Sequence, residues 1–463
     1  MNDFESYQSP FSWRYGSPAM RRIWSEHNKR LIWRSLWVTL AEVESHWHQV
    51  TRDQVDDLKA HSTQIDLPKS LEVESSLKHD LMAEIKVFAS QCPVGGGIIH
   101  LGATSMDIKD NAEVLLVRQS IELLEEKLKS LLFAFAAIIR QTASLPVMAF
   151  THLQPAEPTT LGYRFASVAQ DLLEDHEALV NFNKNLRGKG FKGAVGNAAS
   201  FVELLGEDGF EDFEEQISEL INLPFFQVTT QTYPRRQDYV LISRLAAMAA
   251  SLSKFALDLR ILQSQPIGEL SEPFGQEQVG SSAMPFKRNP IEAEKIDSLA
   301  RTVSAAPQIA WQNAANSILE RTLDDSANRR MLLPETFLAI DEMIETTTKI
   351  VTGIVINSKA IDRTLSTYAP FAGIERLMMI LVNKGADRQK MYEVLRGHSL
   401  AAWQAVAGGE PNPLKDSLGS DPELLNILSE EEIRQAMETG QYLGIAQKRA
   451  LALADRIDNI IER

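Results

Sequence analysis

Between Gly102 and Pro146 the chain contains neither glycine nor proline. Within that stretch Val117, Ile121, Leu124, Leu128, Leu131, Phe135 and Ile138 alternate spacings of four and three. This alternation puts an apolar stripe along one face of a single long helix and is incompatible with the period of two that a strand needs. The pattern returns at Leu241, Leu245, Met248, Leu252, Phe255, Leu259 and Leu262, and again at Leu333, Phe337, Ile340, Ile344, Thr347, Val351 and Ile354. A looser version runs through Leu161, Phe165, Val168, Leu172, Leu179 and Leu186. With a fifth helix from Ile291, interrupted at Pro307, the seams predict a bundle of helices each roughly 40 Å or more in length, at about 1.5 Å per residue. No βαβ rhythm is present. The fold class is all-α.

The outer segments read as shorter pieces. Met20 to Val50 and Glu74 to Ser90 each have helical character, the second carrying His79 and Asp80. Beyond Tyr368-Ala369-Pro370, helices are expected over Ile374 to Asn383, Asp387 to Ala407 and Glu430 to Glu462. The resulting organisation is an N-terminal, mostly helical domain over 1–111, a central long-helix domain over 112–364 and a small helical domain over 365–463. For 463 residues of 44% hydrophobic content, about two to three domains is the ordinary expectation. Apolar residues on more than one side of several helices predict further burial between subunits, hence a homo-oligomer.

A net charge of -15 argues against a general nucleic-acid binder, which needs clustered Lys and Arg over a broad surface. Local positive pockets for a small anion stay open at Arg14, Arg21 and Arg22, at Lys287 and Arg288, and at Arg321, Arg329 and Arg330. The lone Cys92 offers no internal disulfide and no thiolate cluster, so a reducing compartment is expected and a structural zinc site is not. His46 and His48, two apart on a helix, point to different faces and make a poor metal pair. The N-terminus lacks a basic segment followed by an apolar core, and no apolar run approaches bilayer length, so a cytoplasmic protein without a membrane partner is expected.

Four irregular polar stretches interrupt the helices: His100 to Asp107, Phe150 to Thr160, Lys192 to Ser200, and Gly280 to Pro290. In the second, His152 is expected at the mouth of a helix, with Pro155 and Pro158 stopping it from continuing backwards. Histidine is the side chain best suited to exchange protons near neutrality, although a capping or hydrogen-bonded histidine would look the same. In the last, Gly280 lets Ser281 approach a ligand closely, while Lys287 and Asn289 supply donors for a carboxylate and for charge developing on it. Serine is a poor base in water and needs cationic neighbours and closed, dry surroundings to act as one. A serine hydrolase has no support, because there is no Gly-x-Ser-x-Gly elbow.

Gly280-Ser-Ser-Ala-Met-Pro-Phe-Lys-Arg-Asn-Pro290 resembles the signature loop of the fumarase/aspartase superfamily, whose members eliminate fumarate from succinyl-type substrates. His100-Leu-Gly-Ala-Thr-Ser-Met-Asp107 and Thr151-His-Leu-Gln-Pro-Ala-Glu-Pro-Thr-Thr160 resemble its other two shared segments, in the same order. Within the superfamily the chain is most similar to the adenylosuccinate lyase family. Arg14-Tyr15-Gly16-Ser17-Pro18, Lys78-His79-Asp80, Gln231-Thr232-Tyr233 and the stretch from Glu320 to Arg330 carry that likeness, which covers most of the chain.

The resemblance implies a three-domain fold and a homotetramer whose sites are each built from three subunits, with no cofactor and no metal. The implied substrates are adenylosuccinate and the succinyl-aminoimidazole carboxamide ribotide (SAICAR), and the products AMP, AICAR and fumarate. It implies Ser281 as the base at the succinyl β-carbon, His152 as the acid at the leaving nitrogen and Glu294 as the carboxylate that orients His152. Lys287 and Asn289, with Thr104 and Ser105, are implied at the succinyl carboxylates. His79, Asp80, His100 and Gln231 are implied as further substrate contacts. Arg14, Tyr15, Arg321, Ser326 and Arg330 make sense as hydroxyl and guanidinium donors to a nucleotide phosphate. Asn197 stands where threonine is common in the family, and Lys295 where arginine is, which leaves the reaction class alone but bears on substrate preference. A related lyase of another specificity and a structural member without activity are the alternatives that the sequence leaves open.

Overall fold

A computed structural model describes residues 4–275, 277–438 and 442–461. The expected all-α architecture is present. Six long helices dominate the described residues: Ser105–Thr142, Leu161–Lys184, Arg236–Gln263, Ile291–Ala315, Asp324–Gly353 and Ser358–Asn383. The Gly/Pro-free stretch forms one helix of 38 residues. All seven seam residues named on it are buried, as are all seven on Arg236–Gln263. The third seam is buried from Leu333 to Val351, and Ile354 lies beyond its helix end.

The chain divides into two compact units. The first comprises Met1–Leu128, Asp175–Ala250 and Ser298–Glu345, and the second Lys129–Glu174, Ser251–Asp297 and Thr346–Arg463. The core of the first gathers Trp33, Trp37, Leu40, Phe88, Phe191, Phe201 and Phe213. In the second, Phe135 packs against Phe165 and Phe255 with ring centroids 6.4 and 5.5 Å apart, and Leu377, Leu381, Leu395, Leu414 and Met437 form another apolar cluster. A side chain of this size contributes about 2 kcal/mol or more on full burial.

Local chemistry breaks two helices that periodicity alone would join. The Met20–Val50 segment divides at Trp24 and Ser25 into Pro18–Ile23 and Glu26–Glu44, because the Ser25 hydroxyl caps the second helix, accepting from the Asn28 N–H at 3.1 Å. Likewise Glu74–Ser90 divides into Leu67–Leu77 and Asp80–Gln91. Lys78 ends the first helix in the left-handed region (φ 56°), and His79 Nδ1 caps the second by accepting from the Met82 N–H at 3.2 Å.

Proline misleads in the other direction. Pro307 lies inside the unbroken Ile291–Ala315 helix, and Pro370 inside the single helix Ser358–Asn383, where a start at Ile374 was expected. A proline removes one helical hydrogen bond at a cost of about 3 kcal/mol. Buried neighbours hold both helices in register: Val303, Ala306 and Ala310 at the first, Ala369 and Ala372 at the second. The stretch expected as Glu430 to Glu462 contains the helices Glu430–Ala436 and Ala446–Ile461; residues 439–441 and 462 lie outside the described ones.

Two helices, Arg236–Gln263 and Ser358–Asn383, are long and apolar enough to cross a bilayer by length and composition, contrary to the sequence expectation. Each also has a face buried inside the protein, and Arg236–Gln263 carries Arg244, Lys254, Asp258 and Arg260 along its length.

The strands are few. Pro146–Thr151 (β1) and Gln154–Thr160 (β2) pair antiparallel around a turn at His152 and Leu153, and Leu270–Ser271 pairs with Val355–Ile356. His152 therefore sits on a hairpin tip rather than at a helix mouth, and Pro155 and Pro158 lie in β2. The two-residue turn requires positive φ at both central positions; here these are 53° and 58°, a strained conformation for non-glycine residues.

Candidate active site

The first unit contains a cavity of about 570 Å³. His79 and Asp80 reach it from the break between Leu77 and Asp80, Thr104 and Ser105 from the start of Ser105–Thr142, and Gln231 from a loop whose N–H donates to the Glu320 carbonyl at 3.1 Å. Arg321, Ser326 and Arg330 line it from the first turns of Asp324–Gly353 and the residues just before. Eight of the sequence candidates thus share one cavity.

Buried ion pairs fix these side chains. Arg235 grips Asp110 through two nitrogens at 3.0 and 3.1 Å and Asp325 at 2.7 Å, and Arg321 reaches the other oxygen of Asp325 at 3.0 Å. Arg329 meets Asp238, the Tyr233 hydroxyl and Glu113 at 2.6–2.9 Å. Burial pushes Asp325 towards neutrality, but Arg235, Arg329 and Arg321 outweigh it and hold the carboxyl below its ordinary range. Asp80 behaves the same way: burial opposes its charge, Lys109, the Leu81 N–H and Arg330 favour it, and the net result is a carboxyl held at about 2.

Thr104 is positioned by Asp107. That fully buried carboxylate accepts from the N–H groups of Thr104, Lys192 and Gly193 and pairs with Lys189. His100, in the left-handed region at φ 74°, accepts from the Trp37 indole at 3.1 Å through Nδ1. Burial lowers its pKa, and Nδ1 acting as an acceptor fits a neutral ring. His100 does not line the cavity, nor do Arg14 and Tyr15, whose side chains lie together with the Arg14 guanidinium 5.8 Å from the Tyr15 ring centre.

The remaining candidates, His152, Ser281, Lys287, Asn289 and Glu294, belong to the second unit. The Gly280–Pro290 loop folds back on itself. The Asn289 side-chain amide donates to the Gly280 carbonyl at 2.9 Å, and a Cβ at Gly280 would strike the Lys287 carbonyl, so only glycine fits there. The Ser281 hydroxyl accepts from the N–H groups of Ala283 (3.3 Å) and Met284 (3.1 Å). Two donors aimed at one oxygen favour its anionic form, a contribution the sequence did not reveal. Lys287 is exposed, and Glu294, in the first turn of Ile291–Ala315, lies 3.8 Å from Arg260. His152 and Glu294 share no hydrogen bond among the described residues.

Lys109, which sequence reasoning missed, lines the cavity, as does Lys78, which was quoted in a family segment but given no place in the site. Lys109 had a legible signal, since it lies four residues after Ser105 and so on the same face of one helix. Lys192, from a stretch singled out for possible chemistry, and Lys189, just before that stretch, are buried and committed to Glu214 and Asp107 respectively. The donor trio Asp57, His61 and Cys92 brings its ligand atoms within 4.8 Å of one another. One Asp57 oxygen is taken by the N–H groups of Val94 and Gly95, and burial pushes the Cys92 thiol up to about 11, away from the thiolate that a metal takes.

Known proteins fit this architecture. Residues 16–305 match the family model described as "Lyase", and residues 371–450 the one described as "Adenylosuccinate lyase C-terminus". The solved 3-carboxy-cis,cis-muconate lactonizing enzyme of Pseudomonas putida superposes with a TM-score of 0.85 at 24% identity, covering 98% of this chain and all of that one. A fumarate lyase from Mesorhizobium sp. BNC1 gives 0.84 at 22%, over 98% and 99% of the two chains. The fold is thus that of the fumarase/aspartase lyases. Adenylosuccinate lyase of Saccharomyces cerevisiae is 36% identical over 96% of this chain and 93% of its own. That of Schistosoma mansoni is 37% identical over 91% and 89%, and that of Pyrococcus horikoshii 32% over 98% and 99%. The chain belongs to the adenylosuccinate lyase family.

Proposed function

We propose that the protein eliminates fumarate from adenylosuccinate to give AMP, and from SAICAR to give AICAR. The observation that carries this reading is the cavity of the first unit, where hydroxyl, amide and guanidinium donors converge in a protein of net charge -15. Such donors suit a ligand bearing both a phosphate and carboxylates.

The hydrogen on the succinyl β-carbon is weakly acidic, so its removal needs donors where charge gathers on the adjacent carboxylate. Ser281, whose oxygen receives two backbone N–H groups, takes that proton. Lys287 and Asn289, with Thr104 and Ser105, hold the carboxylates and stabilise the aci-carboxylate. His152 protonates the departing nitrogen, Glu294 orients it, and the C–N bond breaks to release fumarate. His79, Asp80, His100 and Gln231 serve substrate positioning, while Arg14, Tyr15, Arg321, Ser326 and Arg330 serve the phosphate. No step calls for a redox cofactor or a metal.

The same reading includes a cytoplasmic homotetramer with no nucleic-acid or membrane partner. Phe133, Tyr163 and Leu257, large apolar side chains 44–57% exposed on long helices of the second unit, support subunit association. The test is a spectrophotometric assay of both ribotides with purified protein. Fumarate release from each is expected; absence of release from adenylosuccinate, with turnover of another succinyl amine, would overturn the assignment.

A further inference from the structure

We propose that Lys109 is a substrate-recognition residue: with Arg330, and anchored like it on Asp80, it forms a two-cation clamp for the substrate's phosphate. The inference rests on the reading above for its ligand, but its geometry stands apart from it. Lys109 Nζ lies 3.1 and 2.8 Å from the two oxygens of Asp80, and Arg330 Nη2 lies 3.0 Å from the second of these. All three residues line the cavity.

Charge balance separates this cluster from its neighbour. Around Asp110, Asp325, Asp238 and Glu113 four carboxylates meet three guanidiniums, Arg235, Arg321 and Arg329, so that network has no positive charge to spare. Around Asp80 one carboxylate meets two cations, which leaves one positive charge in surplus. Two cations brought this close repel each other. The Asp80 carboxylate offsets that repulsion and keeps both heads at the wall, and a doubly charged anion would offset it more fully.

Donor accounting agrees. An ammonium carries three N–H bonds, and Asp80 takes two from Lys109, so one remains; Arg330 likewise keeps donors beyond the one it gives Asp80. The Lys109 side chain is 24% exposed and that of Arg330 54%, so both heads are open to a ligand. Asp80, held ionised at about 2, keeps the pair together throughout the neutral range. Lys109 also stands one turn after Ser105 on the same helix face, and both residues line the cavity.

The experiment compares the full-length wild type with Lys109→Met and Lys109→Arg. It measures steady-state kinetics on adenylosuccinate, calorimetric binding of AMP and of adenosine, and inhibition by fumarate. The expected result for Lys109→Met is a rise of about tenfold in KM with a smaller change in kcat, and a matching loss of AMP affinity. Adenosine binding and fumarate inhibition stay at wild-type values, and Lys109→Arg restores most of the AMP affinity. A purely structural lysine would not distinguish AMP from adenosine, so an unchanged AMP-to-adenosine preference in Lys109→Met overturns the proposal. Weakened fumarate inhibition with intact AMP binding overturns it too, assigning Lys109 to the carboxylates. If the wild type binds AMP over adenosine and Lys109→Met loses that preference, but the wild type does not turn over adenylosuccinate, the proposed function fails while the clamp stands. A wild type that does not prefer AMP sinks the clamp itself.

Discussion

Glu44 ends the Glu26–Glu44 helix 1% exposed, and neither of its carboxylate oxygens has a hydrogen-bond partner among the described residues. Burial raises its pKa to about 9, so the folded protein carries this side chain protonated at neutral pH while the unfolded chain ionises it near 4.5. Between those values the folded state binds one proton more than the unfolded, and stability falls as pH rises. The accumulated loss is on the order of 5 kcal/mol at the upper end. Glu44→Gln is expected to remove most of this slope, read as a smaller difference in melting temperature between pH 5.5 and pH 8.5 than in the wild type; an unchanged difference would show that Glu44 ionises normally. At the proposed catalytic residues the expectation is kinetic. Ser281→Ala and His152→Ala should each lower kcat by roughly 10²- to 10⁴-fold while leaving the circular-dichroism spectrum unchanged. Wild-type rates in either would remove that residue from its role. The identities of these residues were legible from their motifs. The two N–H groups held on Ser281, and the anchoring of Lys109 and Arg330 on one carboxylate, were not, because they arise from backbone path and from segments far apart in sequence.

The helices illustrate how far periodicity reaches. Apolar spacing located the long helices, since a stripe at period 3.6 states which face will be buried before any partner is known. Their interruptions followed a different physics. Ser25 and His79 broke helices by capping, and Pro307 and Pro370 failed to break them because buried neighbours held the backbone. Asp107 does comparable work between elements, tying the start of Ser105–Thr142 to the Lys189–Gly193 stretch. Asp107→Asn should strand the buried Lys189 charge and cost about 3 kcal/mol or more in denaturant unfolding, as should Lys189→Met in reverse. The double variant, with no uncompensated charge, should recover a large part of the loss, and strictly additive losses would refute the coupling.

At the scale of the molecule, the candidate residues are split between two units, with the donor cavity in the first and the loop and His152 in the second. Association is the proposed means of completing each site, and the exposed apolar side chains provide its test. Leu257→Glu, placing a charge at a half-exposed apolar position on a long helix, should shift sedimentation towards smaller species and lower activity in parallel. An unshifted sedimentation profile with full activity would place the subunit contact elsewhere.

The sequence by itself determined the helical class, the seams and the family, because each rests on local residue order: a repeat of apolar positions, or a motif read along the chain. Tertiary structure decided what local order cannot encode. It set His152 on a strained hairpin tip, with φ positive at two successive non-glycine residues, and it gathered eight candidates into one cavity while leaving Arg14, Tyr15 and His100 off its walls. It also gave Asp80 two cations to hold, from positions 29 and 250 residues further along the chain. Charge balance of that kind is a property of proximity in space, and it forms only once packing has fixed which segments meet.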